Sequence, residues 1–162
     1  MRVKLGSFVA LLLVGSALAA APGATAAPRE EHCAARVVEK RLTGEMVLGP
    51  VRCRSSQAEA MEAIGASSST GYTAQASFTL AIHYDGFGLT GSSITIVGDD
   101  CLGGYINLSS DWDNRISSTL NGCYRIRHYD GSDKTGASQT LLGSGGNLSS
   151  LNNLANSVQY SS

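Results

Sequence analysis

His83-Tyr84-Asp85-Gly86-Phe87-Gly88-Leu89-Thr90-Gly91-Ser92-Ser93 returns 45 residues later, without a gap, as His128-Tyr129-Asp130-Gly131-Ser132-Asp133-Lys134-Thr135-Gly136-Ala137-Ser138. Downstream, Asn107-Leu108-Ser109-Ser110 recurs as Asn147-Leu148-Ser149-Ser150. A polar cluster follows each copy, Asp113-Asn114-Arg115-Ile116-Ser117-Ser118 in the first and Asn152-Asn153-Leu154-Ala155-Asn156-Ser157 in the second. Three matches in one order define a duplicated unit.

Each unit reads as β. Phe78, Leu80, Ile82 and Tyr84 alternate with Thr79, Ala81 and His83, the two-residue period of a half-buried strand. Asp85-Gly86 marks a turn, and the β-branched run Ser93 to Val97 resumes the strand pattern. Tyr105 to Leu108 and Thr119-Leu120 are the third and fourth candidates. The second copy offers Tyr124 to Tyr129, Ser138 to Leu142, Leu148 and Ser157 to Tyr160. Four strands with one tight hairpin and one longer polar loop suit a Greek key, and two such units can pack face to face as a sandwich. Gly91 and Gly136 are expected to supply positive φ after the hairpins. One mismatch stays open at this level. Arg125 and Arg127 stand where Leu80 and Ile82 stand, so either the burial parity shifts or that strand is more exposed.

The fold class expected is therefore mainly β, with motif 1 over 76–122 and motif 2 over 123–162. Residues 27–65 form a small N-terminal hairpin-helix subdomain. Cys33 to Val38 and Met46 to Cys53 flank the turn Leu42-Thr43-Gly44-Glu45. Ser56-Gln57-Ala58-Glu59 is a capping box, Ala58, Met61 and Ile64 follow at helical spacing, and Gly65 is placed to terminate the helix. Residues 66–75 read as a linker.

Residues 1–26 read as a secretory signal peptide. Arg2 and Lys4 precede the apolar run Phe8 to Val14, and A-x-A patterns end at Ala19 and Ala26, either of which could mark cleavage. The apolar run is too short to span a membrane. Cleavage after Ala26 removes two basic residues and no acidic one, taking the formal charge from −1 to −3. An acidic chain without clustered Lys and Arg is unsuited to nucleic acid, and no basic amphipathic helix suggests a membrane surface. A secreted, extracellular monomer is expected.

Cys33, Cys53, Cys101 and Cys123 all lie after the signal, and an even count in an exported chain predicts disulfides. Four cysteines allow three connectivities. Sequential pairing closes two loops of similar length, each contributing about 3 kcal/mol on the loop-entropy model. The paired C-x-x-C spacing that zinc prefers is absent from the sequence.

Asp113-Asn114-Arg115-Ile116-Ser117-Ser118 resembles the calcium motif of the βγ-crystallin superfamily: two Asn/Asp, two variable residues, Ser/Thr, then Ser. The hairpins also resemble that family's aromatic corner, with Tyr84 and Gly91 in one copy and Tyr129 and Gly136 in the other. Leu89 and Lys134 replace the second aromatic. The chain is also similar to secreted actinobacterial members of the superfamily, among them a small metalloproteinase-inhibitor family on the same fold. The resemblance covers about residues 76–160. It implies a βγ-crystallin-like sandwich and a Ca2+ site formed by Asp113 and Ser117, with carbonyls near Asn114 or Arg115 and near Asp130. A second site would use Asn152 and Asn153 beside the Asp85 turn. That site lacks a carboxylate within 152–157 and has Asn156 in place of Ser/Thr, so it should be weaker or empty. Calcium takes six to eight oxygen ligands of mixed type, and both clusters are rich in such oxygens. A plainer reading makes both clusters polar arches that cap backbone groups.

Other candidates carry less. His83 and His128 recur with the repeat, which suits a structural role better than acid–base work. His32, near the mature N-terminus, is expected to be disordered. Trp112 is expected in the core rather than on a binding face. Gly143-Ser144-Gly145-Gly146 lacks the lysine of a phosphate loop and reads as a turn. The Asn-Leu-Ser sequons at 107 and 147 are incidental in a bacterial-type chain. The sequence has no nucleophile elbow, zinc-protease helix or paired catalytic carboxylates. Two function classes remain: a calcium-stabilised extracellular module, or a peptidase inhibitor acting on an extracellular protease. The second would present the loop Leu102-Gly103-Gly104-Tyr105 beside Cys101–Cys123.

Overall fold

The computed structural model describes residues 29–66 and 78–162. The signal-peptide reading (1–26), nearly all of the linker reading (66–75) and the first two residues of motif 1 lie outside the described residues. The architecture is mainly β, with two Greek-key units forming a two-sheet sandwich preceded by a disulfide-linked hairpin and one helix.

In chain order the strands are β1 (His32–Lys40), β2 (Met46–Leu48), β3 (Arg52–Arg54), β4 (Phe78–Tyr84), β5 (Ser93–Gly98), β6 (Leu102–Asn107), β7 (Ser118–Asn121), β8 (Arg125–Tyr129), β9 (Ser138–Leu142), β10 (Gly145–Asn147) and β11 (Ser157–Ser161). Helix α1 (Gln57–Ala63) falls between β3 and β4. The first sheet runs β10-β7-β4-β5-β1-β2, with β3 also paired to β1; the second runs β6-β11-β8-β9. The third strand of each unit therefore lies in the other unit's sheet: β6 pairs with β11, and β10 with β7.

The interior is filled from both sheets. Leu80, Ala81, Ile94 and Ile96 meet Ile106, Ile126, Val158 and Tyr160, and Trp112, Ile116, Leu148 and Ala155 join the same core. Trp112 is buried, as its size favours.

The alternation expected of β4 is corrected by a bulge. The register with β5 slips between Thr79 and Ala81, so Leu80 and Ala81 both enter the core. One extra residue reverses the facing of the rest of the strand. His83 then points between the sheets, where it meets Tyr160 and His128, while Ile82 leaves the inter-sheet cluster but stays buried, and Phe78 is exposed. The same parity holds in β8, where Ile126 and His128 point inward and Arg125 and Arg127 outward. Both arginines thus occupy outward positions, and the parity is shared by the two units.

The N-terminal segment shares this core. β1 pairs in parallel with β5 from His32↔Ser93 to Arg36↔Val97, which places Cys33 and Ala35 among the interior side chains. His32 opens the strand, and its Nδ1 meets Ser93 Oγ at 2.9 Å. The expected disorder there is overturned, because the parallel ladder reaches the first residue of β1. The single strand expected over Met46 to Cys53 is split at Gly49-Pro50, since proline has no N–H for the ladder. Beyond β1 the hairpin reaches the second sheet: Tyr105 N donates to Gly44 O at 3.0 Å, and Lys40 Nζ to Leu102 O at 2.9 Å. One segment thus touches an edge of each sheet.

Helix α1 begins at Ser56, whose Oγ accepts from Glu59 N at 3.3 Å. It ends in a Schellman arrangement. Gly65, at φ +66°, donates to Glu62 O, and Ala66 donates to Met61 O. No helix of the described residues is long and apolar enough to cross a membrane.

A polar chain crosses the core. Tyr160 OH lies 3.0 Å from His83 Nε2, His83 Nδ1 lies 3.0 Å from Thr119 Oγ1, and Thr119 Oγ1 lies 3.0 Å from His128 Nε2. Donation from the Tyr160 hydroxyl through His83 and Thr119 to His128 satisfies all three bonds with neutral rings. It leaves His128 Nδ1 without a partner among the described residues. Burial, and secondarily His128, pushes the His83 imidazole well below its usual range; burial pushes His128 down to about 3. Both rings are neutral and sealed from solvent, which removes them from acid–base chemistry on any bound molecule.

The sign of the pH dependence is set by these depressed values. The unfolded chain takes up protons at these histidines near pH 6.5 and the folded chain does not, so stability is full above about pH 6.5 and is lost as pH falls toward 3. At about 1.4 kcal/mol per pH unit, His128 alone removes roughly 4 to 5 kcal/mol by pH 3. Chemical denaturation between pH 6.5 and 5, above the carboxylate range, should show falling stability in the wild type. It should show a shallower fall in His128→Gln, and equal slopes would contradict the assignment.

Candidate metal centre

Each β4–β5 and β8–β9 hairpin is folded over on itself. Gly86 N donates to Thr90 O and Gly131 N to Thr135 O, while Thr90 and Thr135 hydroxyls donate to the Phe87 and Ser132 carbonyls. Gly91 (φ +82°) and Gly136 (φ +78°) have the positive φ expected of them. A Cβ at either position would run into a carboxylate oxygen, that of Asp85 or of Asp130, so the fold needs glycine there for space as well as for φ. Leu89 (φ +63°) and Lys134 (φ +62°) also adopt the left-handed conformation.

Two serines fasten these hairpins. Ser118 Oγ donates to Gly86 O at 2.6 Å and accepts from Leu89 N at 3.0 Å; Ser157 Oγ donates to Gly131 O at 2.6 Å and accepts from Lys134 N at 3.1 Å. They are the sixth residues of the two polar clusters, and both are fully buried. The Asn-Leu-Ser-Ser repeat has an equivalent task. Asn147 Oδ1 accepts from Gly88 N at 2.7 Å, and Asn107 Oδ1 from Asp133 N at 2.8 Å. Because the third strands are exchanged, each asparagine braces the hairpin of the other unit.

The polar clusters form two arches that hold one another. Asn114 N donates to Ala155 O and Asn153 N to Ile116 O, both at 3.0 Å. Asn114 (φ +57°) and Asn153 (φ +55°) turn through the left-handed region, which asparagine tolerates better than most residues. Ser117 N donates to Tyr84 O and Asn156 N to Tyr129 O, so each fifth residue sits at the foot of its own unit's hairpin.

This geometry sorts the candidate oxygens differently from the sequence. Ser117 Oγ lies 2.8 Å from Asp85 O and 3.1 Å from Asn153 Oδ1, so it joins Asp85 and Asn153, the residue that follows Asn152. Asn156 takes the corresponding place in the other cleft, with Nδ2 3.0 Å from Asn114 Oδ1, the residue after Asp113, and its N bonded to Tyr129 O at the foot of the Asp130 hairpin. The sequence grouping of Ser117 with Asp113 and Asp130 misses this, because exchange between the arches joins position five of one unit to position two of the other. Asn156 was visible in the sequence only as a departure from the motif.

The two clefts differ in charge. In the Ser117 cleft, Arg115 Nε and Nη2 lie 3.2 and 2.9 Å from Asp85 Oδ2, and the guanidinium sits 4.7 Å from the centre of the Trp112 ring. The Asn156 cleft has Leu154 at the corresponding position and the Asp113 carboxylate within its arch. One feature is common to both. Asp113 Oδ1 and Asn152 Oδ1, the first residues of the two motifs, are buried and have no hydrogen-bond partner among the described residues. A buried acceptor without a donor is costly unless water or a cation meets it, so the first-position oxygens fit a hard cation.

Glu31, Cys33 and Cys53 also converge closely enough to suggest a metal. The two sulfurs are joined as a disulfide, so no thiolate is available, and a lone carboxylate remains. Cys101 is likewise joined to Cys123. The stretch 102–105, expected as a presentation loop, is strand β6. Its Tyr105 is buried and its Gly104 lies against Met46, which leaves Leu102 and Gly103 exposed.

These features define a β-sandwich module with two hydrogen-bonded arches. No protein-family model matches the sequence, and no curated protein matches it. Three solved structures align with about half of the chain. A double mutant of a βγ-crystallin domain from Clostridium beijerinckii is 19% identical at a TM-score of 0.42, covering 51% of this chain and 97% of that one. A βγ-crystallin domain from Flavobacterium johnsoniae is 22% identical at a TM-score of 0.37, covering 49% and 91%. The N-terminal domain of Protein S is 14% identical at a TM-score of 0.39, covering 49% and 91%. At these values the topology of the chain itself, rather than the alignments, carries the fold assignment.

The fastening serines should be essential to stability. Ser118→Ala or Ser157→Ala removes both bonds and leaves the part-buried N–H of Leu89 or Lys134 without its acceptor, at a cost of about 1–3 kcal/mol each. The exposed Ser110→Ala should stay within about 0.5 kcal/mol. Urea denaturation separates the two cases.

Proposed function

We propose that this chain is a secreted, non-enzymatic, monomeric βγ-crystallin-like module that binds calcium between its two arches. The observation that carries this is the pair of buried, unpartnered oxygens, Asp113 Oδ1 and Asn152 Oδ1, at equivalent positions of the duplicated motif. Each orphaned acceptor calls for a partner within its own cleft, and a calcium ion supplies positive charge to several oxygens of one cleft at once.

The Asn156 cleft is the stronger of the two. Asp113 and Asn114 supply side-chain oxygens there, the Asp130 hairpin supplies backbone carbonyls, and Asp113 supplies the charge, while Asn156 turns its amide Nδ2 toward Asn114 Oδ1. The Ser117 cleft offers Ser117, Asn152, Asn153 and the Asp85 carbonyl, but Arg115 is already paired with the Asp85 carboxylate. A resident guanidinium repels a divalent cation, so this cleft binds weakly or not at all. Calcium bound to the folded chain alone stabilises it by mass action. The two disulfides and the signal-peptide pattern of the sequence support an oxidising, extracellular setting.

Calorimetric titration of the purified mature protein, with melts in calcium and in chelator, tests this. One dominant site and a raised melting temperature are expected. Asp113→Asn should weaken binding on the order of tenfold or more through lost ligand charge, and Asn156→Ser should tighten it by restoring a hydroxyl ligand. Absence of binding heat together with identical melts would leave the arches as hydrogen-bonded braces.

A further inference from the structure

The two edges of the second sheet are treated differently. β6 is covered, because Tyr105 N donates to Gly44 O and the hairpin turn packs along it. β9 pairs only with β8 among the described residues. Asp130 N donates to Ala137 O at one end of this ladder and Gly143 N to Tyr124 O at the other, which fixes the alternation between them. His128↔Gln139 and Ile126↔Leu141 are then the hydrogen-bonded pairs, and Ser138, Thr140 and Leu142 direct their N–H and C=O groups away from β8. The strand Ser138-Gln139-Thr140-Leu141-Leu142 contains neither a charge nor a proline, the features that commonly blunt an exposed edge.

The charge lies one strand further in. Arg125 and Arg127 are two residues apart on the outer face of β8, about 7 Å from each other along the strand, in a chain whose mature formal charge is negative. Neither forms an ion pair among the described residues. Arg127 leans across the neighbouring strand: its Nε and Nη2 lie 3.0 and 2.7 Å from Ser138 Oγ of β9, and its guanidinium centre is 5.2 Å from the middle of the Tyr129 ring. A fixed cation is thereby carried over β9, within about one strand spacing of a strand that would lie beyond it.

From this we infer that β9 is an acceptor edge for an extended acidic segment of a partner polypeptide, added as a fifth strand with carboxylates at i and i+2. The outward groups of Ser138, Thr140 and Leu142 supply the backbone ladder. Alternate side chains of a β-strand fall on one face at the same spacing of about 7 Å as Arg125 and Arg127, so the two acidic residues register against the two guanidiniums. Pairing of two copies edge to edge would instead bring the arginine sets together, and like charges across strands are unfavourable. The complement is acidic.

The test uses the disulfide-intact mature chain and two ten-residue peptides, one alternating glutamate with threonine and one alternating glutamine with threonine. Nuclear magnetic resonance titration should show the glutamate peptide shifting the amides of Ser138, Thr140 and Leu142 and slowing exchange at Thr140 and Leu142. The glutamine peptide should bind at least tenfold more weakly. Arg125→Gln combined with Arg127→Gln, on an exposed face, should weaken glutamate-peptide binding by a similar factor. Thr140→Pro removes an outward N–H that β8 does not use, and should abolish binding while leaving the thermal melt cooperative. Equal binding of both peptides would overturn the charge reading. Binding that is lost with the arginines but indifferent to Thr140→Pro would overturn strand addition, as would glutamate-peptide binding that leaves the β9 amides unprotected. Concentration-dependent dimerisation abolished by Thr140→Pro would assign the edge to a second copy instead.

Discussion

Each Greek-key unit gives its third strand to the sheet of the other, β6 to the second sheet and β10 to the first, and the rest of the molecule is arranged around that exchange. A unit alone would lack a strand in its own sheet and leave its third strand without a partner. With the exchange, the loop from third to fourth strand must pass from one sheet to the other, which brings the two polar arches against each other. Their reciprocal bonds, Asn114 to Ala155 and Asn153 to Ile116, result from that crossing. So does the bracing of each hairpin by an asparagine from the other unit.

The duplicated halves have since diverged in ways that assign them different work. The first sheet is extended by β1, and the same N-terminal segment reaches β6, so one side of the sandwich is closed across both sheets. The second sheet keeps an open edge at β9, with arginines where the first unit has Leu80 and Ile82. The arches diverge in parallel. Arg115 neutralises the hairpin carboxylate on one side, whereas Leu154 leaves the other side to Asp113. The symmetric framework is shared by the two halves, and the asymmetric residues make their charge differ.

Between the sheets, the histidines show how a repeated polar residue becomes structural. The bulge at Leu80 turns His83 inward, and His128 meets it at right angles across the pseudo-symmetric interface. Thr119 and Tyr160 partner three of the four ring nitrogens, and burial holds both imidazoles neutral. Such a network specifies one alignment of the two sheets, because a shift of either strand would leave several buried polar groups unpaired.

Much of this was legible in the sequence, for a physical reason. Duplication, the presence of the strands, Asp-Gly turns, the glycines at 91 and 136, the Ser56 cap and the burial of Trp112 are governed by local conformational preference or by the hydrophobicity of single residues, and each can be read without knowing what lies opposite. What only the tertiary structure decided involves partners distant in the chain. The bulge at Leu80 reversed the facing of β4, the parallel pairing of β1 with β5 drew His32 into a sheet, and 102–105 became strand because β11 lay beside it. Above all, Ser117 met Asp85 and Asn153, while Asn114 met Asn156. A linear motif can name the oxygens of such a site, but an exchange of strands decides which of them share a cleft.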